Sequence, residues 1–333
     1  MEIRTIINLS ELDFKKVTQF VSSHPNASFF QSPIAFHFFK SVENYQPFLF
    51  VALENDEIVG SLLAVVMQEG NGLKGYFSRR GIVWGGPLVN GNDAEITTDL
   101  LTELNKAINN KVIYTEFRNL IDMGPNKVSF FKSGYQFIEQ LNYIIALNDL
   151  DNISSKIKGE KRRQIRKALR EGATIAEAKN LDQVYNFYKI ILSIYTTKVK
   201  KPLPSFDFFS AFFKTQAGII LLIEHDNQII GGALLPKYND TIYDWFRGGL
   251  DEEFKKLCPS TLAVWAGLEY GYKNKFKYYD FMGAGKPNDE YGVRAFKSQF
   301  GGELVNYGRF VRINNPLLYH IGKIGLKILG KLR

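Results

Sequence analysis

The chain has 333 residues, enough for two domains of ordinary size, and its 45% apolar content is normal for a globular protein. A single cysteine, Cys258, excludes an internal disulfide framework and fits a reducing compartment, and no run approaches the roughly 20 apolar residues that cross a bilayer. The net charge of +8 is uneven, because residues 156–171 hold eight basic and two acidic side chains.

The start, Met1-Glu2-Ile3-Arg4-Thr5, lacks a signal-peptide layout, so a cytoplasmic protein is expected. Residues 1–11 read as an edge strand. Ser10 predicts a helix cap, with the helix running to about Val21 and stopping before His24-Pro25. Residues 29–42 predict a second helix, opened after Ser32 by Pro33. A hairpin covers 47–67, Gly70-Asn71-Gly72 turns the chain, and 73–89 reads as extended. Asn92-Asp93 caps a helix to about Asn109. A strand follows at 112–117, a short helix or turn at 128–133, and a returning strand at 136–147.

The stretch 149–153 reads as the crossing into the second half. The basic segment predicts a helix closed by Gly172. Residues 181–195 predict another, with Leu181, Val184, Phe187, Tyr188 and Ile191 on one side. Next come a loop at 198–204, a helix at 205–214, a hairpin at 218–238 and one strand at 241–248. In that strand, alternation places Tyr243, Trp245 and Arg247 on one face and Asp244 and Phe246 on the other. Pro259-Ser260 opens the helix 260–273, a strand covers 278–281, a helix 290–300, and one closing strand 303–312.

The second half echoes the first. Phe50-Val51-Ala52-Leu53-Glu54-Asn55-Asp56-Glu57-Ile58-Val59-Gly60 returns as Leu221-Leu222-Ile223-Glu224-His225-Asp226-Asn227-Gln228-Ile229-Ile230-Gly231. Tyr114-Thr115-Glu116-Phe117 returns as Tyr278-Tyr279-Asp280-Phe281, and Phe131-Lys132-Ser133 as Phe296-Lys297-Ser298. The order of strands and helices is that of an α/β domain of the GNAT acyltransferase type. Two tandem GNAT-like domains are expected, 1–152 and 153–333. The diphosphate loop of that fold is not legible: Arg247-Gly248-Gly249-Leu250 runs into Asp251-Glu252-Glu253, which would repel coenzyme A.

The second half resembles the Fem family, the peptidoglycan-bridge aminoacyltransferases, and the wider FemAB-related acyltransferases. Three stretches carry the resemblance: the basic helix Lys161 to Gly172, Tyr279-Asp280-Phe281-Met282-Gly283, and Gly292-Val293-Arg294-Ala295-Phe296-Lys297-Ser298-Gln299-Phe300-Gly301-Gly302. Phe30-Gln31-Ser32-Pro33 with Phe39-Lys40 is similar to the family's opening motif. The resemblance implies transfer of an acyl or aminoacyl group to an amine of a cell-envelope precursor. The donor would be an aminoacyl-tRNA or acyl-coenzyme A, with no tightly bound cofactor, and the site would lie at the inner face of the membrane. The helical arm of some true Fem enzymes has no room between 172 and 220. The rival readings are a coenzyme A-dependent N-acyltransferase on an amino sugar or lipid amine, and a non-catalytic module that binds RNA or a nucleotide sugar.

The resemblance places Lys297 where charge develops on the tetrahedral intermediate, or against a tRNA phosphate. Asp280, at a strand end, is the expected general base; its plainer role is a loop cap. Arg247, with Tyr243 and Phe296, is expected to bind substrate phosphate through its planar fork. Lys40 matches the family's first phosphate position roughly, and Arg163, Arg166, Lys167 and Arg170 share one side of the basic helix. The plainer reading of that helix is a solvated face. Trp265 and Cys258 read as packing residues. His24, His37, His225 and His320 are too scattered for a local metal motif. The segment 316–333 has one apolar face and a stripe of His320, Lys323, Lys327 and Lys331, which suits an anionic membrane interface or docking on the second domain.

Overall fold

A computed structural model of the chain describes residues 1–11, 13–200, 202–289 and 292–322. They form two compact units: Met1–Glu139 with the stretch from Tyr307, and Gln140–Asn306. Among the described residues, no helix is long and apolar enough to cross a membrane.

Unit 1 begins with β1 (Glu2–Ile6), α1 (Phe14–Ser23), α2 (Pro33–Lys40), β2 (Tyr45–Glu54) and β3 (Glu57–Met67). The cap of α1 is Asp13, which accepts from the Lys16 N–H, and not Ser10. Ser32 caps α2 ahead of Pro33, as its sequence predicts. Next come α3 (Gly72–Ser78), β4 (Arg80–Trp84), β5 (Leu88–Val89), α4 (Ala94–Ile108), β6 (Tyr114–Arg118), α5 (Lys127–Lys132) and β7 (Gln136–Ile138). The helix α3 falls where an extended stretch was expected. Asp93 caps α4 by accepting from the Glu95 and Ile96 N–H groups, and Ile96, Leu100, Leu104 and Ile108 form its buried face.

Unit 2 runs β8 (Leu141–Ala146), α6 (Leu150–Lys156), α7 (Gly159–Arg170), β9 (Thr174–Glu177), α8 (Leu181–Ile194), α9 (Phe206–Lys214), β10 (Gly218–His225), β11 (Gln228–Tyr238), β12 (Thr241–Tyr243), β13 (Phe246–Gly249), α10 (Pro259–Lys273), β14 (Tyr278–Asp280), α11 (Gly292–Lys297) and β15 (Glu303–Asn306). The chain then returns to unit 1 as β16 (Arg309–Ile313) and a helix α12 (316–322). Residues 323–333 of the expected amphipathic segment lie outside the described residues.

The two sheets repeat one plan. The first has the order β1-β2-β3-β4-β6-β16-β7, with β5 also on β3; the second has β15-β8-β14-β12-β11-β10-β9, with β13 also on β11. The long echo is visible in the hairpins. Both turn through two left-handed residues, Asn55-Asp56 and Asp226-Asn227, and both slip register at the same place, after Ala52 and after Ile223.

These pairings place the boundary elsewhere than the expected division at 152. The strand β8 lies between β14 and β15, so 140–152 belong with unit 2. The strand β16 lies between β6 and β7, so the end of the chain belongs with unit 1. The single closing strand expected at 303–312 is therefore two strands in two sheets. They separate at Gly308, whose φ is +66° and where a Cβ would overlap the Phe137 ring. In effect each sheet takes the strand beside its acidic strand from the neighbouring half of the sequence.

Candidate active site

The sheet of unit 2 opens at β12–β13. The strand β12 runs parallel to β14 as far as Tyr243 opposite Asp280. The Asp244 N–H then donates to the Asp280 carbonyl at 2.8 Å, and β13 turns away to pair with β11. This break overturns the expected alternation along 241–248. Asp244 and Arg247 are ion-paired, Nε to Oδ2 at 2.8 Å, instead of pointing to opposite faces.

Four charged groups gather at the fork. Asp280 is 2% exposed, and its Oδ1 accepts from Asn142 Nδ2 at 2.7 Å and from the Met282 N–H at 2.6 Å. Burial pushes its carboxyl up to about 6, against the pull of these bonds and of Lys297. Lys297 is 8% exposed, and its Nζ donates to the carbonyls of Phe281 and Gly283, both at 2.7 Å. Burial brings its ammonium down to about 8; Asp244 and Asp280 oppose that fall and Arg247 adds to it. Burial works against the Arg247 charge as well, but Asp244 more than offsets it and holds the guanidinium protonated.

The backbone between Asp280 and Lys297 is built to face the lysine. Met282 is left-handed with φ of 57°, and Gly283 has φ of 124°. The Gly283 N–H donates to Asn142 Oδ1 at 2.7 Å. With the Met282 and Gly283 N–H groups fixed by Asp280 and Asn142, the turn presents the Phe281 and Gly283 carbonyls to Lys297. One ammonium N–H remains beyond these two bonds. Two buried polar atoms in the same cluster, Asp244 Oδ1 and Tyr279 Oη, make no hydrogen bond. The two side chains are still neighbours: burial and then the Asp244 charge hold the Tyr279 phenol protonated.

Phe296 lies between two cations, with Lys161 Nζ 4.8 Å and the Arg247 guanidinium 5.0 Å from its ring centre. Lys161 is 9% exposed and donates to Gln164 Oε1 and Thr261 Oγ1. Tyr243 is buried in β12, where burial and Asp280 raise its phenol. The fork therefore brings together Lys297, Asp280, Arg247, Tyr243 and Phe296. Within unit 2 it does not gather the basic residues of α7. Arg163, Arg166 and Arg170 are exposed on α7 and Lys167 is half-buried there. Lys40 is exposed in unit 1, with its ammonium on the Ile7 carbonyl at 3.0 Å.

Sequence reasoning gave no site role to Asn142, Tyr279 or Lys161, and it put Asp244 on the face opposite Arg247. For Asp244 the signal was a carboxylate and a guanidinium three apart in an otherwise apolar run. Lys161 shares the i, i+4, i+7 face of Ile165 and Ala168, which marks it as the inward lysine of the basic helix. Asn142 carried no local signal, because its partner is 138 residues away.

A coenzyme A diphosphate does not fit the start of α10, the helix that follows β13. Pro259 has no N–H there, and the Ser260 N–H donates to Asp251 Oδ1 at 3.0 Å. The Thr261 and Leu262 N–H groups both donate to the Cys258 carbonyl. A carboxylate already stands where an anion would bind.

Unit 1 holds the counterpart in altered form. Glu116 accepts from Arg118 Nε at 2.6 Å and from Arg309 Nη1 at 3.0 Å. Arg309 stands on β16 two residues before the partner of Glu116, as Asn142 stands on β8 two residues before the partner of Asp280. Burial would raise the Glu116 carboxyl, but Arg118 and Arg309 outweigh it and hold it below its ordinary value. Lys132, the echo of Lys297, is exposed. Unit 1 thus has a charge-locked acid, and unit 2 an acid able to exchange a proton near neutrality.

Residues 155–297 match the family model of the acetyltransferase (GNAT) domain. Among solved structures, FemX is similar with a TM-score of 0.72 at 15% identity, over 96% of this chain and 99% of that one. The C-terminal domain of a protein named as a lysylphosphatidylglycerol synthetase, from Agrobacterium fabrum, is similar at TM-score 0.56 and 13% identity, over 95% and 96% of the two chains. A tandem GNAT protein from the clavulanic acid biosynthesis pathway gives 0.57 and 12%, over 95% and 99%. No curated protein sequence matches the chain. The fold is that of a FemX-like tandem GNAT protein, as the resemblance in sequence implied, and the GNAT domain match falls in the second half.

Proposed function

We propose that the chain is an N-acyltransferase that forms an amide on an amine of a cell-envelope precursor of the peptidoglycan type, with its chemistry in unit 2. The observation that carries this reading is the buried Asp280–Lys297 pair, with the carboxyl at about 6 and the ammonium at about 8. Near pH 7 the carboxyl is mostly ionised and the ammonium mostly protonated. Asp280 Oδ1 is committed to Asn142 and Met282, so Oδ2 is the oxygen that takes the proton of the attacking amine. The N–C bond forms, the C–O or C–S bond of the donor breaks, and the proton passes from the carboxyl to the leaving group. The free N–H of Lys297 meets the oxygen that becomes negative.

Arg247, 5.0 Å from the Phe296 ring centre, serves as a phosphate fork, and the exposed Arg163, Arg166 and Arg170, with Lys167, form a cationic track on α7. Asp251 at the start of α10 favours an aminoacyl ester over a coenzyme A thioester as donor. The FemX fold supports an envelope acceptor, as does the name of the synthetase neighbour, which specifies a lysyl group on a phospholipid. The GNAT domain match favours the second reading, a coenzyme A-dependent N-acyltransferase on an amino sugar or lipid amine. A paired titration separates the two, with a UDP-muramyl-pentapeptide in one arm and acetyl-coenzyme A in the other. Saturable binding of the precursor alone supports the first reading. Binding of the coenzyme alone refutes it.

A further inference from the structure

Two stretches of the chain contain no acidic residue, 70–92 and 304–333. The first holds Lys74, Arg79 and Arg80, and the second holds six cations, Arg309, Arg312, Lys323, Lys327, Lys331 and Arg333. In unit 1 the described parts of these stretches fold side by side as α3 and α12. The Ile113 backbone ties them together: its N–H donates to the Arg79 carbonyl at 3.0 Å, and its carbonyl accepts from the Asn314 and Asn315 N–H groups at 2.9 and 3.0 Å. At the far end of α12, a Cβ on Gly322 would lie 3.8 Å from the Phe77 carbonyl oxygen.

The helix α3 is inverted for a helix in water. Its buried residue is Gly75, where a Cβ would overlap the Gly70 carbonyl, while Leu73, Tyr76 and Phe77 face outward at 78%, 46% and 40% exposure. The α12 helix adds Leu317 at 71% and Ile321 at 44%. Five large apolar side chains on two adjoining elements form a patch that a solvated surface does not need. Lys74 is exposed beside it, and the Arg79 guanidinium lies 4.3 Å from the Tyr76 ring centre. Apolar and aromatic side chains rimmed by cations, with no acid in either stretch, match the chemistry of a bilayer interface that carries negative headgroups.

We infer that unit 1 docks on an anionic phospholipid surface through α3 and α12. Leu73, Phe77, Leu317 and Ile321 enter the boundary between headgroups and acyl chains, and Lys74 and Arg79 sit at the phosphate level. This surface is independent of the acyl-transfer reading, and its test does not require turnover.

The test is co-sedimentation of the full chain with vesicles of phosphatidylcholine, alone or mixed with phosphatidylglycerol. Binding is expected to the mixed vesicles, with weakening at high salt. The double variant Leu73→Ser, Leu317→Ser is expected to partition about tenfold more weakly or worse. Lys74→Glu with Arg79→Glu is expected to lose the preference for phosphatidylglycerol. All of these positions are at the surface, and an unchanged thermal melt shows that the variants fold. Absence of binding to the mixed vesicles overturns the inference. So does equal binding by wild type and both variants, which would assign the membrane contact elsewhere in the chain. A concentration-dependent dimer that forms without vesicles and disappears in Leu73→Ser, Leu317→Ser would assign the patch to a second copy.

Discussion

Replacing Asn142 with alanine removes the bond of 2.7 Å from its amide to Asp280 Oδ1, in a site where Asp280 is 2% exposed. A hydrogen bond to a buried charge contributes about 1.5–3 kcal/mol, and it acts mainly on the ionised form. Its loss raises the carboxyl by about 1–2 pH units, because 1.36 kcal/mol corresponds to one unit. The starting value is about 6. The ionised fraction at pH 7 therefore falls from about nine-tenths to about a half or less. The other charged and titratable groups around Asp280 are Lys297, Asp244, Tyr243 and Tyr279, and the substitution also frees the Gly283 N–H, whose residue holds Lys297 through its carbonyl. The assay is carbon-13 NMR of labelled aspartate carboxyls across pH 4 to 9, with Asp280→Asn identifying the resonance. The same resonance should titrate near 6 in the wild type and above 7 in Asn142→Ala. A midpoint unchanged by the substitution would refute the role given to Asn142, whether or not the chain transfers acyl groups. Where turnover can be followed, the acidic limb of the rate profile should move with it.

Three further outcomes follow from the same geometry. Asp280 has a folded value above the ordinary 3.8, so its charge costs stability as pH rises from about 4 to about 6, and the cost is then constant. Asp280→Asn should therefore be more stable than wild type at pH 7.5, by up to about 3 kcal/mol, and the gap should close toward pH 4 in thermal melts. Glu116→Gln should destabilise unit 1 by about 2 kcal/mol, because Arg118 and Arg309 lose their shared carboxylate, yet turnover should change little if the chemistry is confined to unit 2. Gly308→Ala should cost about 1–3 kcal/mol in denaturant titrations, through its positive φ and the overlap with Phe137.

The sequence echo made the fold legible to a useful depth. The two hairpins and the two acidic strands lie at equivalent places in the two sheets, and the two Phe-Lys-Ser segments close the short helices α5 and α11. The exchange of β8 and β16 was not legible, because pairing of distant strands leaves no local period. The split at Gly308 was the one local hint, a lone glycine in a strand pattern. Of the candidate site, Lys297 and Asp280 were legible as candidates from motif and resemblance, and Arg247 from its place beside aromatics in a strand. The contrast between Lys297 and its echo Lys132 was not, since both stand in the same Phe-Lys-Ser sequence and only burial separates them. The basic helix hid its inward lysine among outward ones, and Asp251 was read as repelling a diphosphate before it was seen to bind the Ser260 N–H itself.

The proposed role of Lys297 is to stabilise the charge that develops during acyl transfer in unit 2. Its most direct test is turnover with a UDP-muramyl-pentapeptide acceptor and alanyl-tRNA or acetyl-coenzyme A as donor, comparing wild type with Lys297→Met. Transfer by the wild type, with a loss of about 100-fold or more in kcat and near-normal acceptor binding in the variant, is the predicted result. A variant that turns over at the wild-type rate would contradict it.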